Sequence, residues 1–355
     1  MILTFKYRIK DRRAKKALAD HARGVNQVWN YLVARQKDIE DRYHAGAPKR
    51  PWGSHFDLQK EVKGVGKELG IAQQSAQEVC KQFTISRDRN KSAPRFRSSF
   101  GLKRVLGWIP FTSQCRQTVG NSVTYLGKSY RFWEGGRPLP ENAKGGAFVE
   151  DAAGKWYVCF HVEVEARQGG NAEIGIDLGL KSLATMSDGR KIEAPQIYRR
   201  YEQRLAVAQR AGNKARARRI HAKIRNCRQD FLHKATTKLA SEYALIAVGN
   251  VNSKQLAKTR MAKSVLDAGW SAFRSMLKYK SAGYVETDER FTTQTCSECG
   301  SLSSSRPKGI AGLGIRSWEC SECGASHDRD VNAARNILRI ARSASRPDEE
   351  SRRAA

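Results

Sequence analysis

Acidic residues are scarce in this chain of 355 residues: 35 Asp and Glu stand against 65 Lys and Arg, a formal net charge of +30. Such an imbalance excludes a cationic partner as the main ligand and points to a polyanion, with nucleic acid first. Long apolar runs are missing as well. No stretch of 18 or more apolar residues occurs, and no lipidation box is present, which argues against a membrane partner. The opening M-I-L-T-F-K-Y-R-I-K lacks the continuous apolar segment of a signal peptide and alternates like a strand instead. Four of the eight cysteines (Cys80, Cys115, Cys159 and Cys227) are scattered singly. That usage fits reduced thiols and a cytoplasmic protein, associated with the nucleoid through DNA. Hydrophobic residues still make up 40% of the chain, enough for two or three domains with real cores.

Periodicity outlines the elements. Residues 1–10 read as a strand with Leu3, Phe5, Tyr7 and Ile9 on one side. Asp11 is the expected cap of a helix whose face is Ala14, Leu18, His21, Val25, Val28 and Leu32. A Pro/Gly-rich break at Ala45–Ser54 precedes a second helical region, 57–86. The block Arg87–Arg97 carries four Arg and one Lys against one Asp. With Phe96 interleaved, Arg95 and Arg97 are candidate nucleic-acid contacts. From residue 98 to 167 short alternating strands recur, suggesting a small antiparallel barrel that includes the first strand. The stretch 199–230 holds eleven Lys or Arg and two acids without a proline, a basic helix or helix pair suited to tracking phosphates. A basic loop with Lys254, Lys258, Arg260 and Lys263 follows the buried strand Ala244–Val248. Leu266, Trp270, Phe273 and Leu277 then mark one face of a helix, and Tyr284–Phe291 reads as a strand with an acidic end.

Two groupings carry chemistry. Cys296-x2-Cys299 and Cys320-x2-Cys323, twenty residues apart, have the spacing of a four-thiolate Zn²⁺ site, which leaves no open coordination position and is therefore structural. The other grouping is built on Glu173–Ser182, E-I-G-I-D-L-G-L-K-S, which alternates as a strand with Asp177 at its middle. Gly175 and Gly179 flank Asp177, and glycine in a strand often marks a close backbone approach. His327–Leu338, H-D-R-D-V-N-A-A-R-N-I-L, opens a helix whose apolar face is Ala333, Ala334, Ile337 and Leu338. Asp328 or Asp330 caps it or projects inward, and two carboxylates with two asparagines exceed what a cap needs. Asp177 and Asp330 together offer oxygen ligands for Mg²⁺, the metal pair of phosphodiester hydrolysis.

At this point G-I-D-L-G-L resembles the first RuvC motif, and C-S-E-C-G…W-E-C-S-E-C-G-A-S-H-D-R-D-V-N-A-A-R-N-I-L resembles the zinc ribbon and third RuvC motif of the TnpB (OrfB) proteins and their relatives, the type V CRISPR effectors. The resemblance covers almost the whole chain. It implies an α+β multidomain protein: a wedge-type β-barrel (1–10 and 95–172) with a helical recognition insert (11–94), an RNase H-like RuvC nuclease domain (173–295 and 324–342) and an inserted zinc ribbon (296–323); the Ser/Arg/Glu-rich composition of 343–355 reads by itself as a disordered tail. The resemblance also implies a guide RNA from the element end, a double-stranded DNA target beside a short flanking motif, and catalytic acids Asp177 and Asp330, the latter before V-N-A-A.

One position departs from that pattern. Where the family usually has V-E-D-L-N, this chain has Gly249-Asn250-Val251-Asn252. Glycine offers no side-chain ligand. The neighbouring strand ends V-E-T-D-E-R, so Glu289 is the first candidate for a relocated carboxylate and Glu286 the second. Two readings follow: a guided nuclease using Asp177, Glu289 and Asp330 around Mg²⁺, or a nuclease-dead guided DNA binder. A type V CRISPR effector shares these motifs. A transposase acting without RNA would need its own end-recognition module, and no helix-turn-helix candidate presents itself.

Overall fold

The computed structural model describes residues 2–11, 13–48, 52–136, 138–165, 169–251, 262–308 and 311–345. It separates into two compact units, Met1–Val164 and Glu165–Ala355. No helix among the described residues is long and apolar enough to cross a membrane.

The first unit is organised on β1 (Ile2–Ile9). Around it lie β2 (Trp108–Phe111), β3 (Arg116–Val119), β4 (Ser122–Tyr125), β5 (Lys128–Trp133), β6 (Ala143–Glu150) and β7 (Trp156–Glu163), in the order β2-β6-β7-β1-β5-β4-β3. Every pairing is antiparallel. Tyr125 of β4 and Phe148 of β6 stand four strands apart in that order. In a flat sheet they would lie roughly 19 Å from each other, yet their ring centroids are 5.8 Å apart. The sheet is therefore curled, and Tyr7, Phe111, Tyr130, Phe132, Phe148 and Phe160 fill the space it encloses. Its order leaves β2 and β3 as edges, so the described pairings form a curled sheet and not a closed barrel.

Helices α1 (Ala14–His44), α2 (His55–Glu61), α3 (Val65–Glu68) and α4 (Gln73–Asn90) lie between β1 and β2 in the chain. The expected helical face of α1 is buried at Ala14, Leu18, Val25, Val28 and Leu32. Asp11 is not its cap. That carboxylate accepts the Arg13 amide, and the helix begins at Ala14 without a side-chain cap. The region expected as one helical stretch is three helices. Ser54 and Asp57 close a capping box at the start of α2, and Gly64 and Gly70, both at positive φ, bracket α3.

The second unit holds a five-stranded sheet built from β8 (Ala172–Leu178), β9 (Ser182–Met186), β10 (Lys191–Glu193), β11 (Tyr243–Gly249) and β12 (Gly283–Thr287). Its order is β10-β9-β8-β11-β12, with β8, β11 and β12 mutually parallel and the other pairs antiparallel. The central strand stops at Leu178, short of the expected Ser182, because the chain bends at 179–181 to return as β9. The basic stretch forms two helices, α5 (Ile197–Arg210) and α6 (Lys214–Glu242), broken at Gly212. The helix expected from Leu266 onward is also two, α7 (Ala262–Ala268) and α8 (Trp270–Lys280), broken at Gly269 with φ +69°. That break leaves Leu266 exposed while Trp270, Phe273 and Leu277 are buried. A final helix, α9 (Arg329–Ser345), runs through residues 343–345, which were expected in a disordered tail; the rest of that tail lies outside the described residues.

Alternation along the strands assigns the two faces of this sheet. Ile174, Ile176, Ile246 and Val248 join a core with residues of α6, α7 and α8. Ala247 and Val285 join another with Ile337, Leu338 and Ala341 of α9. Gly175 belongs to that second face. A methyl group on it would collide with the Ala334 carbonyl, so this glycine is what allows α9 to lie against β8.

Candidate metal centres

The face on which α9 lies also collects the acids. Asp177 follows Gly175 by two residues and shares its side of β8. Val248 pairs with Ile176, which sets Gly249 of β11 beside Asp177 on that side. Gly249 in turn pairs with Thr287, two residues before Glu289. The same alternation sends Glu286 to the opposite face, where it accepts the Tyr284 hydroxyl at 2.9 Å and lies 3.7 Å from Arg274. Asp288 is outward and ion-paired with Arg290 at 2.8 Å.

Glu289 occupies the space of the missing side chain. A Cβ placed on Gly249 would collide with the Glu289 carboxylate. The neighbouring Asn250 accepts the Glu289 amide at 3.4 Å and donates its own amide to Thr287 at 2.9 Å. Glu289 Oε1 is buried and has no hydrogen-bond partner. Burial raises the Glu289 pKa, against the opposing pull of the Val251 amide and Arg274. Asp177 is pushed well above the carboxylate range by burial first, then by the negative charges of Glu289 and Asp330. Its carboxylate has no hydrogen-bond or ion-pair partner among the described residues. A half-buried carboxylate without a partner and a second one beside it with an unpartnered oxygen offer acceptors that suit a hard cation.

Asp328 and Asp330 divide the two roles open to them. Asp328 caps α9, accepting the Asp330 amide at 3.0 Å and the Val331 amide at 3.1 Å, and it pairs with Lys191 at 2.8 Å. Burial works against its charge, but Lys191 and the two amides hold its pKa below the usual value. Asp330 lies in the first helical turn, where Arg316 reaches one oxygen at 2.9 Å and Arg329 the other at 2.9 Å. Neither guanidinium was expected at Asp330: Arg316, with Arg306 and Lys308, reads in the sequence only as a nucleic-acid contact of the loop between the cysteine pairs.

The four cysteines converge, with all ligand atoms within 4.8 Å of one another. Cys296 and Cys323 sulfurs are 3.7 Å apart and those of Cys299 and Cys320 3.8 Å. Tetrahedral Zn²⁺–thiolate geometry sets edges of roughly 3.8 Å, so the donor set fits Zn²⁺. Each half is the same local turn, C-S-E-C-G. The Gly300 amide reaches the Cys296 carbonyl and the Gly324 amide the Cys320 carbonyl, with φ of +75° and +72° at the two glycines. The ribbon runs past residue 323, because β13 (Ser317–Glu319) pairs with β14 (Ser326–Asp328). His327 on β14 places Nε2 3.1 Å from Cys296 Sγ.

The expected nucleic-acid contacts fall in both units and partly outside the described residues. Lys254, Lys258 and Arg260 lie outside the described residues. Lys263 is exposed and paired with Glu202 at 3.0 Å. Arg95 is exposed, and its carbonyl takes the Trp29 indole N–H at 3.0 Å. Arg97 is half-buried over Trp29 (3.7 Å to the ring centroid) and Trp108 (4.9 Å), and burial draws its pKa down to about 10.

Comparison with known proteins bears on both centres. A family model described as the Cas12f1-like TNB domain matches residues 270–337, and an OrfB/IS605 model described as a probable transposase matches residues 157–260. A Streptomyces pristinaespiralis protein named "Putative RNA-guided DNA endonuclease" is 39% identical over 245 residues, covering 61% of this chain and 60% of the relative. InsQ of Escherichia coli (strain K12), of the same description, is 29% identical over 350 residues, covering 88% and 85%. The match thus spans less than two thirds of the first relative but most of the second. Among solved structures, a Cas12f1–sgRNA–target DNA complex aligns over 95% of this chain and 99% of its own at 14% identity and a TM-score of 0.35, too low for a shared fold to be read from it.

Proposed function

We propose that this chain, which the two matched stretches relate to the OrfB (TnpB) and Cas12f1-like proteins, is an RNA-guided DNA endonuclease whose nuclease centre uses Asp177, Glu289 and Asp330. Its guide would be an RNA from the element end and its substrate double-stranded DNA, in keeping with the surplus of positive charge and the names its relatives carry. The sheet order β10-β9-β8-β11-β12, three antiparallel strands followed by two parallel ones, supports an RNase H-like (RuvC) reading of the second unit. The curled sheet with its helical insertion supports a wedge-type barrel reading of the first. The observation that carries the proposal is the Glu289 carboxylate lying in the side-chain space of Gly249 with an unpartnered buried oxygen.

Asp177, Glu289 and Asp330 would hold Mg²⁺. When bound, Mg²⁺ activates water and offsets charge on the leaving oxygen of a phosphodiester. The protein's own part is to keep these acids desolvated and fixed. β8 carries Asp177 on a rigid strand, Gly249 clears the space for Glu289, and the Asn250 side chain holds the Glu289 amide. Arg316 and Arg329 pair with the two oxygens of Asp330 and limit the repulsion among four neighbouring acids. Four thiolates would hold Zn²⁺ as a closed structural site.

Cleavage of a matched plasmid by the protein–guide RNA complex in Mg²⁺ tests this reading. Asp177→Ala and Glu289→Ala are each expected to lower the rate by at least roughly 10²–10³-fold, the scale of losing a principal electrostatic stabiliser, while Glu286→Ala stays near wild type. Target binding without cutting by the wild-type complex would establish the alternative, a guided DNA-binding protein.

A further inference from the structure

Helix α9 carries two asparagines one turn apart, Asn332 and Asn336, each only 1% exposed. Capping does not account for them, since Asp328 caps the helix. Asn332 Nδ2 donates to the Thr292 carbonyl at 3.1 Å and the Thr295 carbonyl at 2.8 Å. Asn336 Nδ2 donates to the same two carbonyls, at 2.9 and 2.7 Å. Thr292 in turn donates both its amide (3.2 Å) and its hydroxyl (2.8 Å) to the carbonyl of Glu289. The turn that carries Glu289 is thus wrapped on two buried amides of the helix whose first turn holds Asp330. Asn332 does one thing more: its Oδ1 accepts the amide of Ser297 at 2.9 Å, next to the zinc ligand Cys296.

We infer that Asn332 and Asn336 are positioning residues for Glu289, and that Asn332 ties this placement to the zinc ribbon. The inference rests on Glu289 being a metal ligand. Glu289 lies beyond the end of β12, so the sheet does not fix its height above Asp177. Its carboxylate, which the Val251 amide faces, touches none of the clamp; the clamp reaches only its backbone carbonyl, through Thr292, while Asn250 takes its amide. A network of this kind acts as a unit, because each carbonyl takes a donor from both asparagines and the loss of either one weakens the hold on both carbonyls. Partners one step removed from a ligand set metal affinity in this way, and their loss weakens binding by roughly 10–100-fold.

The test is Mn²⁺ affinity of the full-length, zinc-loaded chain, read from the electron paramagnetic resonance of free Mn²⁺, with zinc content and melting followed in parallel. Glu289→Gln and the pair Asn332→Ala with Asn336→Ala are each expected to weaken Mn²⁺ binding about tenfold or more. Combining them should add little, whereas Asp177→Asn should keep its full effect in the asparagine-free background. A general loss of structure would scale every effect alike. If the double variant does not fold, Asn336→Asp serves alone. It removes both donors and keeps the shape, and its added charge would by itself draw the cation in, so weaker binding still speaks for the clamp. Unchanged affinity in the asparagine variants with a normal Glu289→Gln effect would overturn this inference alone. A Glu289→Gln effect that stays whole without the asparagines would do the same. No effect of Glu289→Gln in the wild type would overturn the ligand assignment and the clamp together.

Discussion

The two proposed metal centres of the second unit are built in opposite ways. The thiolate site is local: two copies of C-S-E-C-G fold the same turn, the β13–β14 hairpin carries the second, and Ser303 Oγ, just after the first, accepts the Ser321 amide of the second at 2.9 Å. The carboxylate site is assembled from a strand, a turn beyond another strand and a helix start, spread from residue 177 to residue 330. In the first, short-range geometry nearly dictates the ligands. In the second, each ligand depends on a neighbour that is not one. Asp177 needs Gly175 so that α9 can lie down, Glu289 needs Gly249 to vacate its space, and Asp330 needs Asp328 to take over the cap.

The sharpest way to break that comparison is to refill the vacated space. Gly249→Ala puts a Cβ where the Glu289 carboxylate lies. Displacing a reacting group by about 1 Å can cost on the order of a hundredfold in rate, so target cleavage should fall by about that much while guide RNA binding holds. In a Glu289→Ala background the same substitution should cost nothing further. Gly249→Glu with Glu289→Ala should recover part of the cleavage, measured on the same plasmid. Equal damage by Gly249→Ala in both backgrounds would mean that the glycine serves the backbone and not the glutamate.

A smaller effect tests whether the centres are separate at all. Arg316 precedes β13 in the ribbon and holds Asp330 of the acid cluster at 2.9 Å. A cation entering the cluster competes with this guanidinium. Arg316 is 54% exposed, which keeps the ion pair in the range of about 1 kcal/mol or less. Arg316→Ala should therefore tighten Mn²⁺ binding by up to about fivefold, with Arg316→Lys between. Looser binding would mean that Arg316 orients Asp330 more than it competes for it.

The difference between the centres also explains what could be read in the sequence. The cysteine site was legible because its constraint is a spacing. Asp177 was legible because an alternating strand with two glycines is a pattern. Glu289 could be named from the parity of Y-V-E-T-D-E-R, but the wrap of its turn onto Asn332 and Asn336 could not, since it joins carbonyls to side chains some forty residues on. The pairing of Arg316 with Asp330 was hidden for a like reason, since it joins two side chains across the β13–β14 hairpin. In the first unit the strands were legible from alternation, except β3, whose R-Q-T-V has none. The curl of the sheet was not directly legible, because it comes from aromatic rings meeting across four strands.

The smallest effect concerns a carboxylate that, unlike Asp177, has been given its counter-charge. Glu150, at the end of β6 in the first unit, is 8% exposed and takes Arg104 through both oxygens at 2.8 Å and the Gly107 amide at 3.0 Å. Burial alone would raise its pKa, but Arg104 and the amide outweigh it and leave the pKa lowered. The sign follows from that direction. A carboxylate whose folded pKa lies below its unfolded value, about 4.3, stabilises the fold at every pH above that value, and the contribution is lost as pH falls through the folded pKa. Arg104 is 41% exposed, so solvent screens the pair and the contribution is about 1–2 kcal/mol. Glu150→Gln should thus lower the urea midpoint of the first unit's transition at pH 7, followed by tryptophan fluorescence, and the gap between the two proteins should narrow steadily as pH falls through the acid range. A gap that does not change with pH would assign the effect to shape and hydrogen bonding instead of charge. The contrast with Asp177 would then rest on its missing partner alone.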